Sequence, residues 1–549
     1  MQKDDSKKIK DPVYGYVSIP VQYIKGIIDT SCFQRLRRVI QTSYSPLYAS
    51  AIHNRFVHSI GVFHLGKMAA EQLKNVIVRK GYLSQALAEN YAEVYQLACL
   101  LHDVGHAPFS HTGEIFYKNE KFESKELHKR LCCLISTESF KKDIPIESDS
   151  AAPHELMSAI VGLNNFGDFF KSKEDKELFA RCITGYLYLA HNVENDIKNC
   201  FISMLNSKVI DVDRLDYLIR DSYASGFATI NIDYVRLLDA LTIIKERERY
   251  SIAYQKAAVS IIENVVYAHD AEKKWIQSHP TVLYDAYILK HILEYLNEKL
   301  NSKTKRLFSE ESLGITGQTL KDKIKVSLLC DDDIIYLSKN LYQDELSREF
   351  FERKKRRHPV WKSEEEYKAY IGNLSTGGEL KETFLDCMKS FNESKAPDHP
   401  IPMVINEALI ARFEKELQEA KHSKFAEENV IAIQRQLAVC KYLQNYVMDR
   451  KMPFDFVIIP TNMFNSNFSK KYLGEVKIVF GKDGQSKVCN LSSVCNLLKA
   501  DAGDKDLYYL FYRRKEPNGD ETGEIDDIAG FCRGLYDVVI AEENRLKNF

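Results

Sequence analysis

Apolar residues recur at every third or fourth position through most of the first 300 residues, and that period narrows the fold more than any other feature. Segments 21–40, 62–78, 87–101, 159–170, 178–189 and 282–300 each gather their apolar side chains along one helical face. Strand-like runs are nearly absent over the same span, so this part predicts a helical bundle. Segment 302–400 stays helical but is more polar, with a basic run at 353–357 and a glycine-containing turn at 373–378. A long amphipathic pattern occupies 406–450. After Pro453 the texture changes to that of strands, at 455–459, 476–480 and 507–512, and a helical stretch closes the chain at 525–548. The expected class is mainly α, with a helical core at 1–310, a helical extension at 311–450 and a C-terminal α+β lobe at 451–549.

The net charge is −1, so no global field draws the chain to nucleic acid or to an anionic membrane. Any recognition of polyanions must come from local clusters. Twelve cysteines are scattered without a CxxC pair, which fits free thiols in a reducing compartment rather than a disulfide framework or a zinc ribbon. The N-terminal segment MQKDDSKKIK is too charged for a secretory signal, and no apolar run approaches the ~18 residues of a membrane span. A cytoplasmic address and no membrane partner are expected.

The densest chemical signal lies at 100–111, where an apolar helix runs into the adjacent pair His102–Asp103, followed by His106 and His111. Neighbouring helical positions differ by about 100° around the axis, so this imidazole and carboxylate can converge on one ion at a bundle's inner wall. His106 lies one turn beyond His102, but Gly105 and Pro108 are expected to end the helix there. Two further segments can complete the site. One is Asn54-Arg55-Phe56-Val57-His58-Ser59, which opens an apolar helix. The other is 210–221, where Asp213, Tyr217 and Asp221 form a polar stripe beside Leu215, Leu218 and Ile219. Such a carboxylate stripe is costly to bury unless a cation neutralises it. Two histidines and two aspartates suit Fe, Mn, Co, Ni or Zn better than Mg alone, and the lack of thiolate argues against a structural zinc.

With these residues in view, the chain resembles the HD-domain phosphohydrolases. Within them it is similar to the deoxynucleoside-triphosphate triphosphohydrolases, a branch that includes bacterial dNTPases and dGTPases and the mammalian SAM-and-HD-domain enzyme. The family's metal pattern H…HD…D maps onto His58, His102, Asp103 and Asp213. Asp11-Pro12-Val13-Tyr14-Gly15 is similar to the family's opening DPI-x-G. Ile28-Asp29-Thr30 and Phe33-Gln34-Arg35-Leu36-Arg37 match its IDT…FQRLR segment, and 53–62 matches HNRFEHSLGV at most positions. The resemblance covers about 10–300.

It implies an HD-domain helical core, a divalent metal ion (Mn, Fe, Mg, Co, Ni or Zn) and a nucleotide substrate, a dNTP and possibly dGTP, cleaved to nucleoside and inorganic triphosphate. His106, His111, His154 and Glu114 would line the active site as catalytic groups. Gln41 and Arg55 match residues that hold the nucleotide, Tyr217 and Asp221 match a pair on the sugar and its 3′-hydroxyl, and Arg214 replaces a phosphate-binding lysine. Asp29, Gln34 and Arg37 match positions that bind an effector guanine nucleotide where subunits meet; the alternative is that this segment is a packing element. A homo-oligomer, a tetramer or dimer of dimers, is implied with allosteric control.

Departures touch sugar selectivity. His269 and Gln277 stand where the family carries an arginine and a tyrosine, and Thr42 stands where it carries an apolar residue. The basic run at 353–357 reads as a solvated face, a contact for effector phosphates or a nucleic-acid patch, and Asp331, Asp332 and Asp333 read as an acidic helix start. Two other readings stand beside the dNTPase. One is an HD phosphohydrolase acting on a ribonucleotide, cyclic nucleotide or alarmone, and the other is a nucleotide-sensing or nucleic-acid-binding module.

Overall fold

A computed structural model of the chain describes residues 5–42, 47–117, 125–144, 151–207, 210–227, 231–342, 345–354, 356–374, 378–393, 404–405, 407–422, 427–449, 454–461, 476–481, 487–495, 507–514, 525 and 527–547. The chain is mainly helical, and it divides into two compact units, each discontinuous in sequence. The first comprises Met1–Glu272, Leu293–Leu341 and Ser466–Ala502; the second comprises Lys273–Ile292, Tyr342–Asn465 and Gly503–Phe549. This division differs from three consecutive segments, because strand pairing returns a C-terminal piece to the first unit. Lys477–Phe480 runs parallel to Arg249–Gln255, inside a four-stranded sheet completed by Leu241–Glu246 and Lys487–Asn490.

The first unit is built on the helix Arg55–Arg79, which packs against Gln85–Leu101 and Val212–Ser225. Lys173–Thr184 and Val193–Leu205 pack against Gln85–Leu101 from another side, and Pro153–Phe166 lies on Lys173–Thr184. The helix starts follow local chemistry. Asn54 caps the first helix by accepting the Val57 amide at 3.2 Å, and Asp211 caps Val212–Ser225 by accepting the Arg214 amide at 2.8 Å. Each cap fixes where the first turn lies, and the first turns carry His58 and Asp213. Two hairpins depart from the all-helical expectation, Ser6–Asp11 with Gly15–Pro20 and Leu241–Glu246 with Arg249–Gln255. Segment 21–40 folds as a series of short helical turns rather than one helix.

Gly105 follows the His-Asp pair and faces the helix Pro153–Phe166. A Cβ there would lie 2.4 Å from the Met157 carbonyl carbon and the Ser158 nitrogen. Those are backbone atoms and cannot rotate away, so Gly105→Ala is expected to destabilise by at least ~1–3 kcal/mol. A lowered midpoint in urea unfolding checks this; an unchanged midpoint would show that the helix can retreat.

In the second unit, Phe454–Thr461 and Leu507–Arg514 pair antiparallel, flanked by Val404–Ile405 and His358–Pro359. Trp361 is fully buried, and its Nε1 donates to the Tyr508 carbonyl at 3.1 Å. Helices Glu427–Asp449 and Ile528–Lys547 pack on each other. Part of the basic run is tied down, while Arg353 and Lys354 stay exposed. Arg356 and Arg353 both reach Asp285, at 2.8 and 3.5 Å, and buried Arg357 donates to the Tyr284 hydroxyl at 3.1 Å. Lys355 lies outside the described residues. None of the twelve cysteines is paired, and among the described residues no helix is long and apolar enough to cross a membrane.

Candidate metal centre

The helix ends described above bring His58, His102, Asp103 and Asp213 together. His58 Nε2 lies 3.2 Å from His102 Nε2 and 2.9 Å from Asp213 Oδ1. Asp103 Oδ2 is 3.6 Å from His58 Nε2 and 3.5 Å from His102 Nε2. The outer nitrogen of each ring is already committed. His102 Nδ1 donates to the Cys99 carbonyl at 2.9 Å, and His58 Nδ1 faces Asp216 Oδ2 at 2.7 Å. A carbonyl can only accept, so His102 carries its proton on Nδ1 and turns a lone pair inward on Nε2. His102 Nε2 and the carboxylates of Asp103 and Asp213 therefore turn acceptors toward one another beside His58 Nε2, an arrangement satisfied by positive charge among them. His58, His102 and Asp213 each offer a ligand atom within 4.8 Å of the others. The donor set fits a divalent transition ion.

The charges agree. Burial disfavours protonation of His58, yet its hydrogen bonds to Asp213 and Asp216 outweigh that and push it up to about 10. Burial likewise works against ionising Asp103, but the Arg55 guanidinium and the imidazoles of His102 and His58 hold it down to about 2. The position between these groups has high affinity for positive charge. Asp216, which orients His58, is itself clamped by Arg220 at 2.9 and 3.0 Å, and Arg220 also bonds Asp11 at 3.0 Å. A Cβ on Gly61 would sit 1.9 Å from Asp216 Oδ1, so only glycine lets the two helices approach closely enough for this contact.

A second cluster adjoins the first. Glu114 accepts from His111 Nδ1 at 2.9 Å through one oxygen and from His154 Nδ1 through the other. The His106 ring stacks on His154 with centroids 4.3 Å apart, and its Nε2 lies 3.7 Å from Asp103 Oδ1. Burial first, then the charges of Arg55 and the other histidines, holds His106 well below its ordinary pKa and keeps it neutral. Neither of its ring nitrogens has a hydrogen-bond partner among the described residues. Burial opposes the charge on His154, but Glu114 overcomes it and raises His154 to about 9. Glu114, despite its burial, is held well below the usual carboxylate range by His154 and His111.

A pH dependence follows from this pair. The stabilisation from His154 is complete below its ordinary value of about 6.5 and fades as pH rises through about 9; that from Glu114 is present above about 4.3 and fades at lower pH. The melting difference between the wild type and Glu114→Gln is therefore expected to be largest at about pH 5 to 6.5 and to shrink above pH 9. A difference that holds constant to pH 10 would contradict the pairing.

Arg55 bonds Asp103 at 2.7 Å, Ser110 at 2.8 Å and the Gln41 carbonyl at 3.3 Å, so it sits inside the centre. Gln41 is buried, with Oε1 lacking a partner among the described residues. Asp213, Tyr217 and Asp221 share the stripe along Val212–Ser225, and Arg214 lies beside them. Asp221 is paired with His53 at 2.7 Å. Gln34 bonds the Ile28 carbonyl, and Arg37 bonds Gln34 and stacks 3.5 Å over Phe56, while Asp29 is exposed. His53, Asp216, Arg220, Ser110 and Asp331 belong to the site's surroundings without being expected as site residues; His53 opens the matched segment 53–62, and the i, i+4 spacing of Asp216 and Arg220 is the other local hint.

The family model for the HD domain matches residues 55–184. That interval contains His58, the His102–Asp103 pair, His106, His111, Glu114 and His154, with Asp213 beyond it.

The chain carries an HD domain at residues 55–184.

Its HD segment belongs with relatives of several kinds. The chain is 28% identical over 278 residues to the Dictyostelium discoideum deoxynucleoside triphosphate triphosphohydrolase SAMHD1 homolog, covering 49% of this chain and 48% of that one. It is 28% identical over 259 residues to an uncharacterised Mycoplasma pneumoniae protein, covering 46% and 52%. The chain thus spans about half the length of these curated relatives. A solved structure of a hypothetical protein from Aquifex aeolicus aligns with a TM-score of 0.50 at 18% identity, over 98% of this HD-domain chain and 100% of that one, a likeness of fold.

Proposed function

We propose that this HD-domain protein is a metal-dependent nucleotide phosphohydrolase, and that deoxynucleoside triphosphates are its substrates, cleaved to nucleoside and inorganic triphosphate. One observation carries the reading: an acceptor-lined cation site touches, through Asp103 and His106, a set of histidines organised by a shared carboxylate. A bare sensor has no need of that second set. His58, His102, Asp103 and Asp213 would hold the ion. Bound there, a divalent ion supplies polarisation of a phosphoryl oxygen and acidification of water.

The chain's own residues supply the rest. Arg55, fixed by Asp103 and Ser110, places a permanent positive charge at the centre, and Arg214 adds another beside Asp213. A 5′-alkoxide is a poor leaving group and needs a proton as it departs. His111 and His154 each anchor Nδ1 on Glu114, which leaves Nε2 of either ring to deliver that proton. The likeness to the Dictyostelium triphosphohydrolase supports the dNTP assignment. The test is to mix the protein with each NTP and dNTP under Mn²⁺, Mg²⁺ or Fe²⁺ and resolve the products by chromatography. Turnover confined to ribonucleotides, cyclic nucleotides or an alarmone would favour the other phosphohydrolase reading, and no turnover would favour a sensor or nucleic-acid module.

The same reading includes a cytoplasmic homo-oligomer, a tetramer or dimer of dimers, with Asp29, Gln34 and Arg37 near an effector nucleotide. Light scattering with and without dGTP or GTP is expected to give a mass above that of the monomer; a monomer under both conditions would reject this part.

A further inference from the structure

The turn that carries His106 and His111 is held by side chains from distant segments. Arg35 Nη2 donates to the carbonyls of Val104 and His106, both at 2.9 Å, and Arg35 Nη1 donates to the Leu329 carbonyl at 2.9 Å. Asp331 accepts the Phe109 amide at 2.7 Å through Oδ1 and the Ile40 amide at 2.8 Å through Oδ2. Its carboxylate thus ties the catalytic turn to the segment leading into Gln41. Phe109 and Ser110 both have left-handed backbones, with φ of 55° and 53°, although neither is glycine. Such conformations cost on the order of 1 kcal/mol or more each and persist only where the surroundings impose them.

A half-buried carboxylate accepting two backbone amides is a strong constraint of that kind. Ser110 passes it on, because its hydroxyl donates to the Ile40 carbonyl and accepts from Arg55 Nε at 2.8 Å. His111 follows directly and opens the short helix His111–Glu114.

We infer that Asp331 is a positioning residue of the active site: its carboxylate fixes the strained Phe109–Ser110 turn, and through it the placement of His111 and Arg55. Asp331 opens a separate helix, Asp331–Leu341, more than 200 residues from the turn it holds. The kinetic consequence rests on the hydrolase reading above; the geometric consequence does not.

The test compares Asp331→Asn, which keeps the size but loses one acceptor, with Leu337→Ala, a core truncation in the same helix. Asp331→Asn is expected to keep its metal content and to lose at least tenfold in kcat with KM changed less than threefold. Leu337→Ala is expected to melt earlier yet keep kcat at temperatures where it is folded. Imidazole NMR gives a readout without turnover: the His111 signals should shift or broaden in Asp331→Asn, while those of His128, in another part of the fold, stay put. If Asp331→Asn does not fold, Phe109→Gly, which loosens the turn from its other side, is expected to show the same pattern. Unchanged His111 signals or unchanged kcat in the folded variant would overturn the assignment, as would an equal loss of rate in Leu337→Ala. If the wild type hydrolyses no nucleotide, the hydrolase reading fails, and the His111 signals alone decide the positioning role.

Discussion

Replacing His102 or Asp213 by alanine is expected to abolish metal binding and hydrolysis together while leaving the helical content intact. Each residue supplies one of a small number of inward-facing acceptors, and the loss of one weakens a mixed nitrogen–oxygen site severely. The fold should survive, because both residues sit at helix ends, His102 just after Gln85–Leu101 and Asp213 in the first turn of Val212–Ser225. Asp213 is also the most exposed of the four, so its loss opens no apolar cavity. Elemental analysis and circular dichroism of the purified variants check this. Full metal occupancy in either variant would sink the ligand assignment, and loss of helicity would show that the cluster is structural. Asp216→Asn is expected to act in the same direction more mildly, with metal affinity lowered ~10–100-fold, because it orients His58 rather than binding the ion.

The second large effect separates chemistry from metal. His111→Ala and His154→Ala are each expected to retain the ion and lose ~10²–10⁴ in kcat, the usual contribution of a positioned acid or base. Glu114 holds both rings, so the double variant should lose little more than the worse single one. Attack at the α-phosphorus with departure of the 5′-oxygen gives intact triphosphate and nucleoside, and that route needs the acid. Departure of pyrophosphate does not. Monophosphate and pyrophosphate as direct products would show that the histidine set has another role, and full rates in both variants would remove it from the mechanism.

What the sequence by itself determined is what local spacing controls. The adjacent His102–Asp103 pair at the end of an apolar run, the cap at Asn54 and the stripe of Asp213, Tyr217 and Asp221 all encode direction within a few residues, and helical geometry then fixes where each side chain points. The candidate ligand set and the helical core were therefore legible, and so were the strands after Pro453, which are short runs of β-branched and aromatic residues. Tertiary structure alone decided the rest. Nothing near His58 in sequence names Asp216, 158 residues away, and nothing near Phe109 names Asp331, 222 residues away. The arginines at 353–357 look like a charged patch in sequence because charge is local, but whether they meet water or a buried Asp285 depends on how the chain packs around them. Ligand identity is a matter of residue type and short spacing. The contacts that orient those ligands join segments whose meeting depends on the whole core, and burial makes those contacts strong without leaving a pattern along the chain.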